Sequence, residues 1–464
     1  MNLTQKLLGL STAAVIGFAG LSFADDAGKS MPHRSLDQRI AELEAKLKDA
    51  GAGGVKGSGI KISGYVDTSY TVNLADRGNT GPIAGSSNQN SGRVFDNQYD
   101  AFNLNAVKLT IQKDKDSSDF PAGFRVDGIY GEDAKVLKGN KVAGSSSFDS
   151  DFYLEQAYIN LGVGIGNGID VKFGKMVTLL GYEVIESAAN NQFSRSDGFR
   201  LAPLTQTGVT FGYQWNDTVT STVGVINGLD SLTGATGLGA TGSGAINFNT
   251  SLGFVGRVDV NGPKTSIGDF SSYVAGLYSD DETSGAATNL NRAKTTEFNI
   301  GGIWDKPFEV KELALGIDYL GRGSQNSTAA TAATVVNTLG SVSAGALSGY
   351  GKWKWTDKYT TSARVGWTDY GNVSGAGGQF GAAGSTLSPL VLQTGATRNG
   401  VEEVFSFTLT QAFNVWKDTL VRLEWRRDWT PNSKAGFGAT VAGAARDDIR
   451  QDQDTIAVNL VYSF

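Results

Sequence analysis

The sequence predicts an all-β fold, a transmembrane antiparallel β-barrel of sixteen strands. Three observations predict it: segments of alternating hydrophobicity, connections of two alternating kinds, and an aromatic carboxyl terminus. The last thirteen residues, DQDTIAVNLVYSF, place Ile456, Val458, Leu460, Tyr462 and Phe464 on one face of an extended chain. Thr455, Ala457, Asn459, Val461 and Ser463 fall on the other. Side chains alternate along a strand, so the segment has one wall suited to lipid and one suited to water.

The amino terminus supplies the compartment. Residues 1–24 carry one cation, Lys6, then the stretch LLGLSTAAVIGFAGLSFA, with small Ser22 and Ala24 ahead of Asp25 and Asp26. This reads as a secretory signal peptide followed by export through the periplasm. No other stretch is long and apolar enough for a membrane helix, so membrane residence must be built from strands.

Composition agrees. Sixty-two Gly and 40% hydrophobic residues make a poor recipe for one large packed core, yet 23 Phe, 15 Tyr and 8 Trp supply ample aromatic surface. A wall one residue thick and wet inside fits both. Losing Lys6 with the leader moves the formal charge from -6 to -7, which excludes nucleic acid as the natural partner. Zero Cys excludes disulfides and thiol chemistry, and the single histidine, His33, lies outside every strand. A hydrolytic triad or a zinc site would need more, so no enzyme, no cofactor and no metal are expected.

Residues 25–58 contain a short helix and a linker. Ser35 stands three before Gln38, a capping-box spacing, and Leu36, Ile40, Leu43 and Leu47 form one apolar stripe before Gly51, Gly53 and Gly54. A helix of roughly fourteen residues is unstable alone in water. Either a coiled coil uniting subunits on the periplasmic side buries the stripe, or a lone helix rests on the barrel or frays; peptidoglycan is a further candidate contact of the helix.

The barrel is expected over residues 59–464. Ile60, Ile62, Val66, Tyr70 and Val72 share a face; Phe124, Val126 and Tyr130 alternate with Arg125 and Asp127; Ile169, Val171 and Phe173 alternate with Asp170 and Lys172. Leu313, Leu315, Ile317 and Tyr319 alternate with Ala314, Gly316 and Asp318, and Val421, Leu423 and Trp425 with Arg422, Glu424 and Arg426. Short turns bracketed by aromatics, at Trp215-Asn216-Asp217, Trp304 to Phe308, Trp355 to Tyr359 and Trp416-Lys417-Asp418, alternate with long polar loops at 227–248, 321–345, 371–401 and 430–451. Outer-membrane barrels enforce such asymmetry, with Trp and Tyr at the lipid boundary and short turns on the periplasmic side. Low-complexity STAATAATVVNTLGSVSAGA is assigned no structure, and Gly-rich 162–168 is read as a hairpin turn.

The third long connection, residues 177–205, mixes Leu179, Leu180, Tyr182, Val184, Ile185 and Phe193 with Glu183, Glu186, Arg195 and Arg200. So much apolar content calls for a packing surface, and the inner wall offers one. Folded inward, the loop would make Glu183, Glu186, Arg195 and Arg200 a constriction with a transverse field. An external flap or an intersubunit latch is the alternative. The lumen wall is assigned Arg125, Asp127, Lys172, Arg257, Asp318, Arg364, Arg422, Glu424 and Arg426. With Lys108, Lys352, Lys354, Asp67, Asp170 and Asp259 the inner face counts nine bases against six acids, a slight lean toward anions. Tyr65, Tyr158 and Tyr350 also fall on inner positions.

The block FYLEQAYINL, residues 152–161, followed by GNGIDVKFGKMVTLLGYEVIESAANNQFSRS, residues 166–196, resembles the OmpL-like β-barrel porins of Gram-negative outer membranes. The resemblance implies a diffusion channel for ions and small hydrophilic solutes, and it transfers no ligand-binding residue. The expectation is thus a porin contacting outer-membrane lipid as a homotrimer. A sugar- or phosphate-selective channel, and a structural or adhesive envelope barrel without transport, are the alternatives.

Overall fold

The computed structural model describes residues 59–74, 90, 93, 95–116, 120–137, 151–227, 230–231, 252–285, 289–328, 341–370, 391–392, 403–431, 435–437 and 450–464. The expected signal peptide and helical segment, residues 1–58, lie outside the described residues. Sixteen long strands follow one another: β1 (Ile60–Asn73), β2 (Ala101–Lys113), β3 (Ala122–Tyr130), β4 (Phe152–Val163), β5 (Ile169–Val177), β6 (Pro203–Gln214), β7 (Val219–Ile226) and β8 (Gly253–Thr265). The second half comprises β9 (Gly268–Gly285), β10 (Asn289–Asp305), β11 (Leu313–Thr328), β12 (Ser341–Lys354), β13 (Tyr359–Asp369), β14 (Glu403–Trp416), β15 (Thr419–Trp429) and β16 (Asp452–Ser463). Each pairs antiparallel with its sequence neighbours, and β16 pairs with β1 from Tyr65↔Ser463 to Asn73↔Thr455. The sheet therefore closes, and no edge is left to carry unpaired backbone groups into hydrocarbon.

Closure is finished by the last residue. Phe464 and Gly64 exchange two backbone hydrogen bonds of 2.9 Å. A Cβ on Gly64 would stand 2.2 Å from the Lys108 carbonyl oxygen and 2.7 Å from Phe464 Cζ, so only glycine admits the aromatic terminus here.

The two faces invert the distribution of a soluble protein. Ile159, Phe173, Ile300, Ile317, Val365 and Val458 are exposed on the outside, whereas Asp67, Thr295, Asn299, Thr408, Thr410 and Asn459 are buried on the inside. Lipid is the medium that makes the first arrangement favourable. Aromatic pairs rim both ends. Phe270 stacks on Trp304 at 5.1 Å and Tyr359 on Phe413 at 4.8 Å beside the short turns, while Phe405 stacks on Trp429 at 5.6 Å at the long-loop rim.

Two sequence expectations change. Residues 321–328 and 341–345, read as loop, extend β11 and β12 in continuous register from Gly321↔Gly345 to Gln325↔Ser341. These segments, GRGSQNST and SVSAG, are small or polar at nearly every position, so their sequence carries no hydrophobic alternation to mark them as strand. Likewise, residues 341–346 of the low-complexity stretch are strand. The hairpin turn at 162–168 is as expected, with left-handed Gly166 (φ 59°) and Gly168 (φ 93°).

At the long-loop half, returning chain packs against the inner wall. Phe95, helix α1 (Glu132–Leu137) and Ile185 pack with Tyr65, Ile129, Tyr153 and Val461. Leu201, Ala202, Tyr370 and Phe437 pack on Leu320, Ala344, Ala346 and Val404, and Leu180 packs on Ile226, Val255 and Leu277. Toward the short-turn half the inner face changes character: Tyr158, Asn160, Lys172, Thr220, Thr222, Asn261, Gly316 and Lys352 are only half-buried.

Candidate functional site: the inward loop of residues 178–202

The loop between β5 and β6 crosses the interior and binds inner-face side chains of strands far around the barrel. It begins with Thr178 N–H on the Leu204 carbonyl at 3.0 Å. Arg257 of β8 donates to the Leu179 carbonyl at 2.9 Å, and Gly181 N–H donates to Asn299 Oδ1 of β10 at 2.8 Å. Gly181 has φ 100°, a left-handed conformation that turns the chain back on itself. Arg322 of β11 reaches the Leu201 carbonyl at 3.1 Å.

The densest contacts lie on β13 and β15. Arg364 Nη1 holds Glu183 Oε1 at 2.6 Å and the Ser194 carbonyl at 2.8 Å. Glu424 accepts from the Phe193 and Ser194 N–H groups at 2.7 and 2.9 Å, and from the Thr410 hydroxyl at 2.8 Å. Arg422 donates through Nη1 to the carbonyls of Ser187, Asn190 and Gln192 at 3.0, 3.1 and 3.1 Å. Its Nη2 reaches Ser187 Oγ at 2.5 Å and Asn459 Oδ1 at 2.6 Å. Arg426 donates to the Arg195 carbonyl at 2.5 Å and pairs with Asp428 at 2.8 Å and Asp197 at 3.5 Å. Most of these are charge-assisted bonds to loop backbone, the strong class, between buried groups.

The loop also braces itself. Asn190 caps both ends of a tight bend, accepting from Val184 N–H at 3.0 Å and donating to the carbonyls of Val184 and Glu186 at 2.7 and 2.9 Å. Arg195 spends its guanidinium on the carbonyls of Val184, Phe193 and Ile185 at 3.0, 2.6 and 2.5 Å. A short helix, α2 (Asp197–Leu201), is capped by Ser196, whose hydroxyl accepts from Phe199 N–H at 3.2 Å.

On the opposite wall Lys108 gathers three carboxylates: Glu186 at 2.6 Å, Glu155 at 2.8 Å and Asp127 at 3.1 Å. One oxygen from each acid lies within 4.8 Å of the others, the spacing of a cation site, and the Lys108 ammonium is the cation among them. Arg125 pairs with Asp127 at 2.8 Å.

Electrostatics in the loop follow these contacts. Burial pushes the Glu183 carboxyl up, but Arg364 and the Ser196 N–H at 2.7 Å outweigh it and hold the group below its ordinary value. Burial likewise opposes ionised Glu186, and Lys108 reverses the balance downward. Asp133, on α1, shows the opposite balance: burial, then the nearby Asp67 charge, raise it well above the ordinary carboxylate range against the weaker downward pull of Arg195.

The four loop residues expected at a constriction are therefore not alike. Glu183, Glu186 and Arg195 are buried between loop and wall or within the loop, at 6%, 5% and 2% exposure, whereas Arg200 is half-buried. The wall residues Arg125, Asp127, Arg257, Asp318, Arg364, Arg422, Glu424 and Arg426 all take inner positions and are buried, and Lys172 is half-buried nearer the short turns. Between residues 178 and 202 only Leu179, Tyr182, Ala188, Ala189, Asn191 and Arg200 are not buried. Sequence reasoning did not single out Asn190 as a brace or Tyr182 as a surface; a Gly before an aromatic, Gly181-Tyr182, was the available signal.

Comparison with known proteins agrees with this architecture. Residues 59–464 match the model of the family described as "Putative beta-barrel porin-2, OmpL-like". No curated protein matches. Among solved structures, the outer membrane channel DcaP of Acinetobacter baumannii is similar at 12% identity and TM-score 0.54, over 89% of this chain and 100% of that one. An anion-selective porin from Comamonas acidovorans is similar at 11% identity and TM-score 0.51, over 87% of this chain and 99% of that one. The closed sixteen-stranded wall, the charged inner face and a family match spanning the whole barrel lead to one assignment: the chain belongs to the OmpL-like β-barrel porins and forms a channel in the bacterial outer membrane.

Proposed function

We propose that ions and small hydrophilic solutes diffuse passively through the barrel, past a constriction that the 178–202 loop sets by its fixed position on the inner wall. The observation that carries this reading is the anchoring of that loop by Arg364, Arg422, Glu424 and Arg426. Glu183, Glu186 and Arg195 then define the bore indirectly, by holding backbone in place, while Arg200 meets the passing solute. Half-buried Lys172 and Lys352 on the inner face add positive potential toward the short turns, which favours a weak anion preference. Liposome swelling tests the sieve: uncharged solutes of increasing size should enter at falling rates with a sharp cutoff. Equal exclusion of every solute would refute passive diffusion. A reversal potential of cation sign in a salt gradient would refute the anion preference.

A homotrimer fits the rim chemistry. All eight Trp lie between residues 215 and 429, so β16 and β1 to β5 carry none at either rim. Trp concentrates where a wall meets the lipid-water boundary. The Trp-free sector is the one proposed to face neighbouring copies.

A further inference from the structure

The geometry points to a carbohydrate subsite on the inner wall, built on the ring of Tyr182 and selective for pyranose rings. This rests on the channel reading above and deepens it by naming a solute class. Tyr182 is one of six residues of the 178–202 loop that are not buried, and the one aromatic among them. Its ring stacks on Tyr350 of β12 at 4.2 Å between centroids and 24° between planes. The wall beneath it is glycine: a Cβ on Gly316 of β11 would stand 3.0 Å from Tyr182 Oη and 3.2 Å from Cζ. Gly316 pairs in register with Tyr350, so one missing side chain and one buried ring form the bed on which Tyr182 lies.

The same device recurs two strands away. Tyr273 of β9 pairs with Gly301 of β10, and a Cβ on Gly301 would stand 2.5 Å from Tyr273 Oη. Its hydroxyl donates to Asp318, which also accepts from Asn299 at 2.8 Å. Across β9 to β12 the inner face thus alternates tyrosine rings with glycine beds, and Tyr182 is the ring with solvent access.

The backbone around Tyr182 is fixed on both sides. Leu179 is held by Arg257, Gly181 by Asn299, and Glu183 by Arg364 and Ser196. A ring pinned in advance loses little conformational freedom when a solute stacks on it. Simple adhesion of loop to wall needs no aromatic half in water, and the buried Leu180 and Val184 on either side already provide it.

The solute class follows from what such a surface rewards. A hydrophilic solute gains from an electron-rich apolar plane only if it carries an apolar face with a polar edge, which describes the C–H face and hydroxyl rim of a pyranose. Half-buried Lys352, two residues along β12 from Tyr350, stands on the same inner face and gives the bed a polar edge.

The test is block of single-channel current in planar bilayers by glucose and maltose, with the purified full chain. The expected result is concentration-dependent interruption by sugar in the wild type. The block constant should weaken about fivefold in Tyr182→Leu and hold within about twofold in Tyr182→Phe. Protease resistance of the 178–202 loop checks that it stays docked in both variants. Undiminished block in a docked Tyr182→Leu channel, or block by benzoate and not by sugar, overturns the subsite. Clear steps with no sugar block overturn the subsite alone, whereas absence of steps overturns the channel reading with it.

Discussion

Replacing Arg422 by Met separates the loop from the barrel that holds it. The guanidinium makes six hydrogen bonds: Nη1 to three loop carbonyls, Nη2 to Ser187 Oγ and Asn459 Oδ1, and Nε to Asn459 Oδ1 at 2.9 Å. Methionine fills much of the volume and satisfies none of them. A hydrogen bond to a charged group contributes about 1.5–3 kcal/mol, and an orphaned buried carbonyl costs about 1–3 kcal/mol. The three carbonyls can regain water if the loop lifts, so these terms do not add in full, and a net loss of about 3 kcal/mol is the working figure. That is a little over a hundredfold in the ratio of docked to lifted loop. The closed strand ladder does not use Arg422 backbone differently, so the barrel should still resist heat and detergent. Two assays read the outcome. Single-channel recordings should gain open-state noise and a shifted conductance, and amide exchange at Phe193 and Ser194 should accelerate by about two orders of magnitude. A variant as quiet and as protected as the wild type would refute the claim that inner-wall arginines position the loop.

Three further outcomes are expected. Because Arg364 and Ser196 hold Glu183 below its ordinary value, its anchoring should persist down to the usual Glu range near about 4.3 and fade only as pH falls below it. Glu183→Gln should therefore show at neutral pH the current noise that wild type shows only in acid, and wild-type noise beginning at pH 6 would contradict the assignment. Gly174→Val should lower the melting temperature of the folded band on gels: φ is 138° and the new Cβ would stand 2.3 Å from the Ala157 carbonyl oxygen, a strain of about 1–3 kcal/mol or more. Ile159→Cys on β4 should crosslink between copies under oxidation while Val365→Cys on β13 should not, a clean comparison because the natural chain has no Cys; the reverse pattern would move the subunit interface.

Much of the barrel was legible because its physics is local. Alternation at Val421 to Arg426 places Arg422, Glu424 and Arg426 inside without knowledge of any partner, and the aromatic short turns orient the strands by composition alone. Small residues hid the rest. The outer ends of β11 and β12 are pairs such as Gly323↔Ser343, where faces barely differ in polarity. Bulges at Asp67/Thr68 and Asp127/Gly128 shift the face by one residue and leave no periodic trace.

The loop was legible as inward-folding from its apolar content, but not as a pattern of bonds. Glu183 meets Arg364 from 181 positions away, and Phe193 meets Glu424 from 231. Nothing local marks Glu183 as an anchor and Arg200 as the residue left facing water. Charge type suggested a field across the opening; burial assigns most of that charge to holding the loop.

The most direct test is electrical. Purified protein added to a planar bilayer should produce discrete, ohmic conductance steps at either polarity, as expected for a hydrated bore beside a docked loop. A folded, heat-resistant barrel that inserts into the bilayer and never conducts would contradict the account.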